Sequence, residues 1–205
     1  MNRIKGKFIV FEGLDGSGQT TQSHLLRDFL KSKGFPVVLT KEPTLKSKSG
    51  KKIKRILQEE IKVSPLKLQE LFAQDREHHL KNLILPSLRK GKIVICDRYL
   101  FSSYAYGSIN LDLDYLKKLN KGFILPDIVF FLDVSPNICI DRIKKRNADI
   151  DLFEKTDILK KVYKNYHKIF KDFKNVYIIE GGKSIEEVFT QIKEIIIKIF
   201  HLEQK

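Results

Sequence analysis

Only two cysteines, Cys96 and Cys139, occur in the 205 residues, each inside an apolar run, which excludes a disulfide framework and a cysteine-rich metal site. No hydrophobic run approaches bilayer-spanning length, and the apolar run after Met1-Asn2-Arg3-Ile4-Lys5-Gly6-Lys7 is too short for a secretion signal. Repeats, low-complexity tracts and linkers are missing too. The expectation is one domain over residues 1–205, in a reducing cytoplasm, with no membrane partner. Acidic side chains are also scarce, 25 against 39 Lys and Arg, for a formal charge of +14. A basic run at Lys46, Lys48, Lys51, Lys52, Lys54 and Arg55 could meet a polyanion. Lysines are nevertheless spread over nearly every predicted helix, without aromatic interleaving or a nucleic-acid module. A solvated basic surface that draws anionic nucleotides is expected, with no nucleic-acid partner.

What is present starts with Phe8-Ile9-Val10-Phe11-Glu12-Gly13-Leu14-Asp15-Gly16-Ser17-Gly18-Gln19-Thr20-Thr21. A β-rich run enters a loop with glycines at 13, 16 and 18, and Leu25, Leu26, Phe29 and Leu30 leave it at helical spacing. This strand, loop and helix match the phosphate-loop pattern G-x-x-x-x-G-K-[ST], whose glycines free backbone N–H groups to surround phosphate. Gly13, Gly18 and Thr20 fit; Gln19 stands where the pattern has lysine.

Further along, Phe35 to Thr40 predicts a strand ending in Lys41-Glu42-Pro43-Thr44, and Ser64-Pro65 predicts a helix start. That helix carries Leu68, Leu71, Phe72, Asp75, Arg76, His79, Leu80 and Leu83 along one stripe. Asp75 and Arg76 interrupt it either as a surface salt bridge or as binding residues. Lys92 to Cys96 is a buried strand running into Asp97-Arg98-Tyr99, which would set a carboxylate near nucleotide-bound Mg²⁺ and an arginine that can grip phosphate. Ser102 and Ser103 open a helix, as caps or as anion contacts. Pro126 to Val134 and Val176 to Ile179 predict two more strands. Arg142-Ile143-Lys144-Lys145-Arg146-Asn147 ends a helix either as a solvated cationic terminus or as a mobile lid over about 142–154. Strands alternating with helices predict an α/β fold: a five-stranded parallel sheet with helices on both faces, a P-loop NTPase-type three-layer sandwich with a small lid.

In order, the Phe11–Gly18 loop, Lys41-Glu42-Pro43-Thr44, Leu71-Phe72-Ala73-Gln74-Asp75-Arg76, Asp97-Arg98-Tyr99 with Ser102-Ser103-Tyr104-Ala105-Tyr106, and Pro126–Val134 together resemble the thymidylate kinase family of nucleoside monophosphate kinases. The resemblance implies transfer of the γ-phosphoryl group of ATP to dTMP, with Mg²⁺, by a cytoplasmic homodimer. It also implies site roles. Gly13, Asp15, Gly16, Ser17, Gly18, Gln19, Thr20 and Thr21 would surround the ATP phosphates. Thr20 and Asp97 would position Mg²⁺, with Glu12 helping through water. Asp15, Glu42, Pro43, Phe72, Arg76, Arg98, Ser102, Ser103 and Tyr106 would form the dTMP site. There Phe72 would stack on the base, Arg76 would meet its carbonyl and Arg98 would hold its phosphate.

Departures from the family pattern sit at Gln19, at Leu152 in place of a common arginine, and at Gly107, where glutamine commonly follows the tyrosine. An amide at 19 supplies a hydrogen bond but no charge. Because Gly16 and Ser17 leave no arginine in the loop, Arg142 and Arg146, with Lys144 or Lys145, are expected to supply cations, and Arg98, Arg142, Arg146 and Gln19 form the expected catalytic group. The alternatives are a catalytically weakened nucleotide-binding homologue and a kinase for another nucleoside or deoxynucleoside monophosphate.

Overall fold

The computed structural model describes residues 5–145 and 156–202. In chain order the elements are β1 (Phe8–Gly13), α1 (Gln19–Ser32), β2 (Val37–Lys41), α2 (Lys48–Leu57), α3 (Pro65–His79), a π-helical turn (Leu80–Ile84), α4 (Leu85–Arg89), β3 (Ile93–Asp97), α5 (Leu100–Gly107), α6 (Leu113–Leu119), β4 (Ile128–Asp133), α7 (Pro136–Lys145), α8 (Thr156–Phe170), β5 (Val176–Glu180) and α9 (Ile185–Phe200). The predicted stripe over 68–83 thus spans α3 and the π turn, so its last members leave regular α-helical register. Ser64 caps α3 by accepting from the Lys67 N–H, and Ser184 with Glu187 forms a capping box on α9.

All four strand pairings are parallel, in the order β2-β3-β1-β4-β5. Alternation divides the core between two faces. Phe8 and Val10 of β1, Val94 and Cys96 of β3, and Val129 and Phe131 of β4 join Leu100, Ala105, Val162 and Tyr166 from α5 and α8. Ile9 and Phe11, Ile93 and Ile95, and Phe130 and Leu132 face Leu26 and Leu30 of α1 and Val188, Ile192 and Ile196 of α9. A third cluster, Ile53, Ile56, Leu68 and Leu71, packs α2 on α3. None of the described helices is long and apolar enough to cross a membrane.

Parallel pairing brings every strand's carboxyl end to one edge, where ligands of open α/β sheets bind. Register makes this concrete. Asp97 is the partner of Phe11 on one side and of Lys41 on the other, so the phosphate loop, Lys41-Glu42 and Asp97-Arg98 emerge side by side.

Candidate active site

Between β1 and α1 the chain turns through Gly16 at φ 82° and Gly18 at φ 99°, the latter at the N-cap of α1. At Gly16 a Cβ would come within 2.6 Å of the Cys139 carbonyl oxygen, so glycine is required by space as well as by φ. The loop and first turn, Asp15 to Gln22, line a cavity closed by Lys41, Arg98, Arg142, Gly181, Lys183, Ile185 and Val188. Arg142, on α7, donates to the Ser17 carbonyl at 3.4 Å and the Gly181 carbonyl at 3.3 Å, spanning the cavity wall. Arg146, Leu152 and most of the expected lid lie outside the described residues.

Gln19 does not extend into this cavity as a free donor. Its amide N–H donates to the Gly13 carbonyl at 3.1 Å, and its carbonyl accepts from Arg98 Nη2 at 3.2 Å. Only 5% of the residue is exposed. The amide binds the loop to Arg98, so cationic charge at this point must come from other side chains.

Thr20 donates to Asp97 Oδ2 at 2.5 Å, and Lys41 Nζ lies 3.2 Å from the same oxygen. Hydroxyl and carboxylate oxygens beside a phosphate cavity form the hard donor set that suits Mg²⁺, which keeps waters and substrate oxygens in its shell. Consistent with so sparse a set, no group of three or more His, Cys, Asp or Glu forms a metal cage among the described residues. Glu12 departs from expectation. Its Oε1 accepts from the backbone N–H groups of Tyr99 and Ser102 at 2.9 and 3.2 Å, and its Oε2 from the Ser102 and Tyr166 hydroxyls at 2.6 and 2.8 Å. None of these bonds goes to Thr20 or Asp97: the carboxyl anchors the start of α5 instead. Complete burial raises its pKa to about 7, against the lowering effect of Ser102, Arg98, Tyr166 and Tyr99.

Arg98 follows Asp97 with φ 68°, a left-handed backbone uncommon for a non-glycine residue and costly to hold. Its guanidinium is over-determined. It meets Asp15 Oδ1 at 2.7 Å, the Gly13 carbonyl at 2.9 Å and the Ser102 hydroxyl at 3.2 Å, and lies 5.3 Å from the Tyr106 ring centroid. Tyr106 in turn donates to Asp15 Oδ2 at 2.7 Å. Burial opposes the guanidinium charge, but the Asp15 carboxylate, with Tyr106, Tyr166 and Asp97, more than offsets this and raises its pKa well above the ordinary value.

A second cavity opens beyond this group, lined by Asp15, Lys41, Glu42, Pro43, Leu57, Gln69, Phe72, Arg76, Arg98, Tyr99, Ser102, Ser103 and Tyr106. Every residue expected at the dTMP site is among them. Arg76 is 1% exposed, and three of its nitrogens are fixed by Glu42 at 2.8 Å, by Ser103 at 3.0 Å and by Asn120. Glu42 also meets His79 Nδ1 at 3.0 Å. Asp75, the preceding residue, makes no surface pair with Arg76. It is buried and accepts from the Thr44 N–H at 2.6 Å, the Thr44 hydroxyl at 2.7 Å and the Ser47 hydroxyl at 2.5 Å. It therefore pins the segment before α2 to α3, while Arg76 turns to the cavity.

Asp15, Lys41 and Arg98 line both cavities and mark their junction. A family model described as thymidylate kinase matches residues 11–192. The chain belongs to the thymidylate kinase family. It is 41% identical over 195 residues to a probable thymidylate kinase of Pyrococcus horikoshii, covering 92% of this chain and 95% of that one. With a thymidylate kinase of Caldicellulosiruptor saccharolyticus it shares 38% identity over 200 residues, covering 94% and 97%. The solved structure of the Candida albicans thymidylate kinase superposes with a TM-score of 0.83 at 28% identity, over 97% of this chain and 94% of that one. Three residues that line or brace these cavities had no signal of their own in the sequence: Gln69 in the second cavity, Asn120 on Arg76 and Tyr166 on Glu12. Lys41 belonged to the strand-end motif in the sequence but had no role of its own there. Asn120 and Tyr166 depend on how α6 and α8 pack and could not be read from spacing.

Proposed function

We propose that this thymidylate kinase moves the γ-phosphoryl group of ATP to the 5′-phosphate of dTMP, giving dTDP and ADP. The junction of the two cavities at Asp15, Lys41 and Arg98 carries the reading, because in-line transfer needs donor and acceptor phosphates to meet at one cationic place. An acceptor phosphate oxygen forms a bond to the γ-phosphorus as the bond to the β–γ bridging oxygen breaks. The electron pair leaves on ADP. Phosphoryl transfer of this type asks mainly for alignment and charge stabilisation.

In this reading the loop N–H groups from Gly13 to Thr21 hold the donor phosphates, and Arg98 holds the acceptor phosphate. Asp15, fixed by Arg98 and Tyr106, orients the sugar side. Phe72, Arg76, Ser103 and Glu42 shape the base end. Thr20 and Asp97 would hold Mg²⁺, which when bound neutralises charge on the donor phosphates. With Arg98 bonded to Gln19, the other described cations lining the phosphate cavity, Lys41, Arg142 and Lys183, are available for the role that Gln19 cannot fill. The reading also keeps residues 1–205 as one kinase domain and extends to a homodimer, which sedimentation would check. The buried free thiols Cys96 and Cys139 suit a reducing cytoplasm.

The test is ADP release coupled to a spectroscopic readout with ATP, Mg²⁺ and dTMP. Turnover that saturates in dTMP is expected; intact dTMP binding without turnover above background would refute it. The engagement of Gln19 by Gly13 and Arg98 favours one second reading, a nucleotide-binding homologue of weakened catalysis, and that same outcome would support it.

A further inference from the structure

Gln69 lies on α3, three residues before Phe72 and seven before Arg76, and lines the same cavity. It is 4% exposed, and its carbonyl Oε1 is buried with no hydrogen-bond partner. Native structures rarely leave a buried amide unsatisfied unless something else completes it. Among the described residues, four buried side-chain polar atoms share this condition. Ser17 Oγ and Gln22 Oε1 belong to residues lining the phosphate cavity, and Gln69 to one lining the acceptor cavity. Three of the four therefore belong to residues that line these cavities, and Gln69 also lines a neighbouring cavity together with Gly107.

Across from Gln69, α5 offers no side chain at Gly107. A Cβ there would lie 3.1 Å from Gln69 Cδ and 2.9 Å from both terminal carbons of Leu116. Gln69 occupies space that any larger residue at 107 would claim. Its amide is also unlike its neighbour Arg76, whose guanidinium only donates. An amide presents an acceptor and a donor side by side, the complement of an imide N–H beside a carbonyl.

We propose that the Gln69 amide, admitted by Gly107, hydrogen-bonds the N3–H and an adjoining carbonyl of the acceptor base, and with Arg76 determines base specificity. The proposal rests on the dTMP reading given above. Arg76 donors favour a carbonyl over an amino group, so the pair selects a thymine-type base over cytosine. Gln69 touches neither the phosphates nor the metal ligands, so its loss acts on binding and leaves the chemical step in place.

The experiment measures kcat and KM for dTMP and N3-methyl-dTMP, and the affinity of both by calorimetry without ATP, on the wild type, Gln69→Met and Gln69→Glu. The wild type should disfavour the N3-methyl analogue by about 10- to 100-fold. The Met variant should raise the dTMP KM by a similar factor at nearly constant kcat and lose discrimination against the analogue. Gln69→Glu keeps the size and the acceptor for N3–H but removes the donor to the base carbonyl, so it should raise the dTMP KM while still disfavouring the N3-methyl analogue. An unchanged dTMP KM in both variants, or full discrimination retained in Gln69→Met, overturns the proposal. Wild type that binds no dTMP overturns the functional reading itself; wild type that binds dTMP and its N3-methyl analogue equally overturns only the role of Gln69.

Discussion

Gln19→Lys places an ammonium where the phosphate-loop pattern has one, and the structure lets both its benefit and its cost be worked out. Gln19 now supplies no charge and is held by the Gly13 carbonyl and Arg98. Adding one preorganised cationic donor at a developing anion is worth ~2.7–4 kcal/mol, or about 10²–10³ in kcat. The cost falls on the ligand-free protein. Position 19 is buried, and a like-charge pair at about 4 Å costs about 4 kcal/mol at an effective dielectric near 20. Asp15, 2.7 Å from the Arg98 guanidinium, offsets part of that. The variant should therefore turn over about 100-fold faster while melting at lower temperature without ligand, and ATP should restore more of its melting temperature than in the wild type. Coupled ADP-release kinetics and thermal melts with and without ATP measure both. If kcat changes by less than about threefold while ATP still binds, the missing charge is already supplied, and the reasoning from Gln19 fails.

Lys41→Ala tests where that charge comes from. Lys41 is more than half exposed, but its ion pair is with the buried Asp97 carboxylate, so its loss leaves that carboxylate with the Thr20 hydroxyl and should cost about 1–3 kcal/mol of stability. kcat should fall at least about tenfold, and Gln19→Lys should recover it; an undiminished kcat would remove Lys41 from the mechanism. Glu12 gives a pH prediction. Between pH 4.5 and about 7 the folded protein keeps the Glu12 proton that the unfolded chain has lost, so this group's contribution to stability declines as pH rises through that window, by on the order of 3 kcal/mol. Oε2 faces two hydroxyls that can accept from the protonated carboxyl. Denaturant titrations from pH 5 to 8 should show a flatter slope for Glu12→Gln, and an equally steep slope would assign the effect to another group.

Features written into local sequence were legible: short apolar runs named all five strands, glycines named the loop, and strand ends named Glu42, Asp97 and Arg98. The central place of β1 in the order β2-β3-β1-β4-β5 was not, because pairing partners leave no mark on a strand buried on both faces. Asp75 and Arg76 show the same limit within two residues. Helical spacing put both on one stripe, whereas the structure gives one to the loop before α2 and the other to a cavity. Glu12 was given a part at the metal by the family resemblance, while the donors that claim it come from 87 to 154 residues away.

Asp75 and Arg76 also act as two pins through one rod. Successive α-helical residues point about 100° apart, so the three bonds from Thr44 and Ser47 to Asp75 set the azimuth of α3 and hence the direction of Arg76. The Arg76 end of the cavity is thereby oriented from Thr44 and Ser47, neither of which lines it. A substitution at Ser47 would therefore turn Arg76 without altering a single residue that lines the cavity.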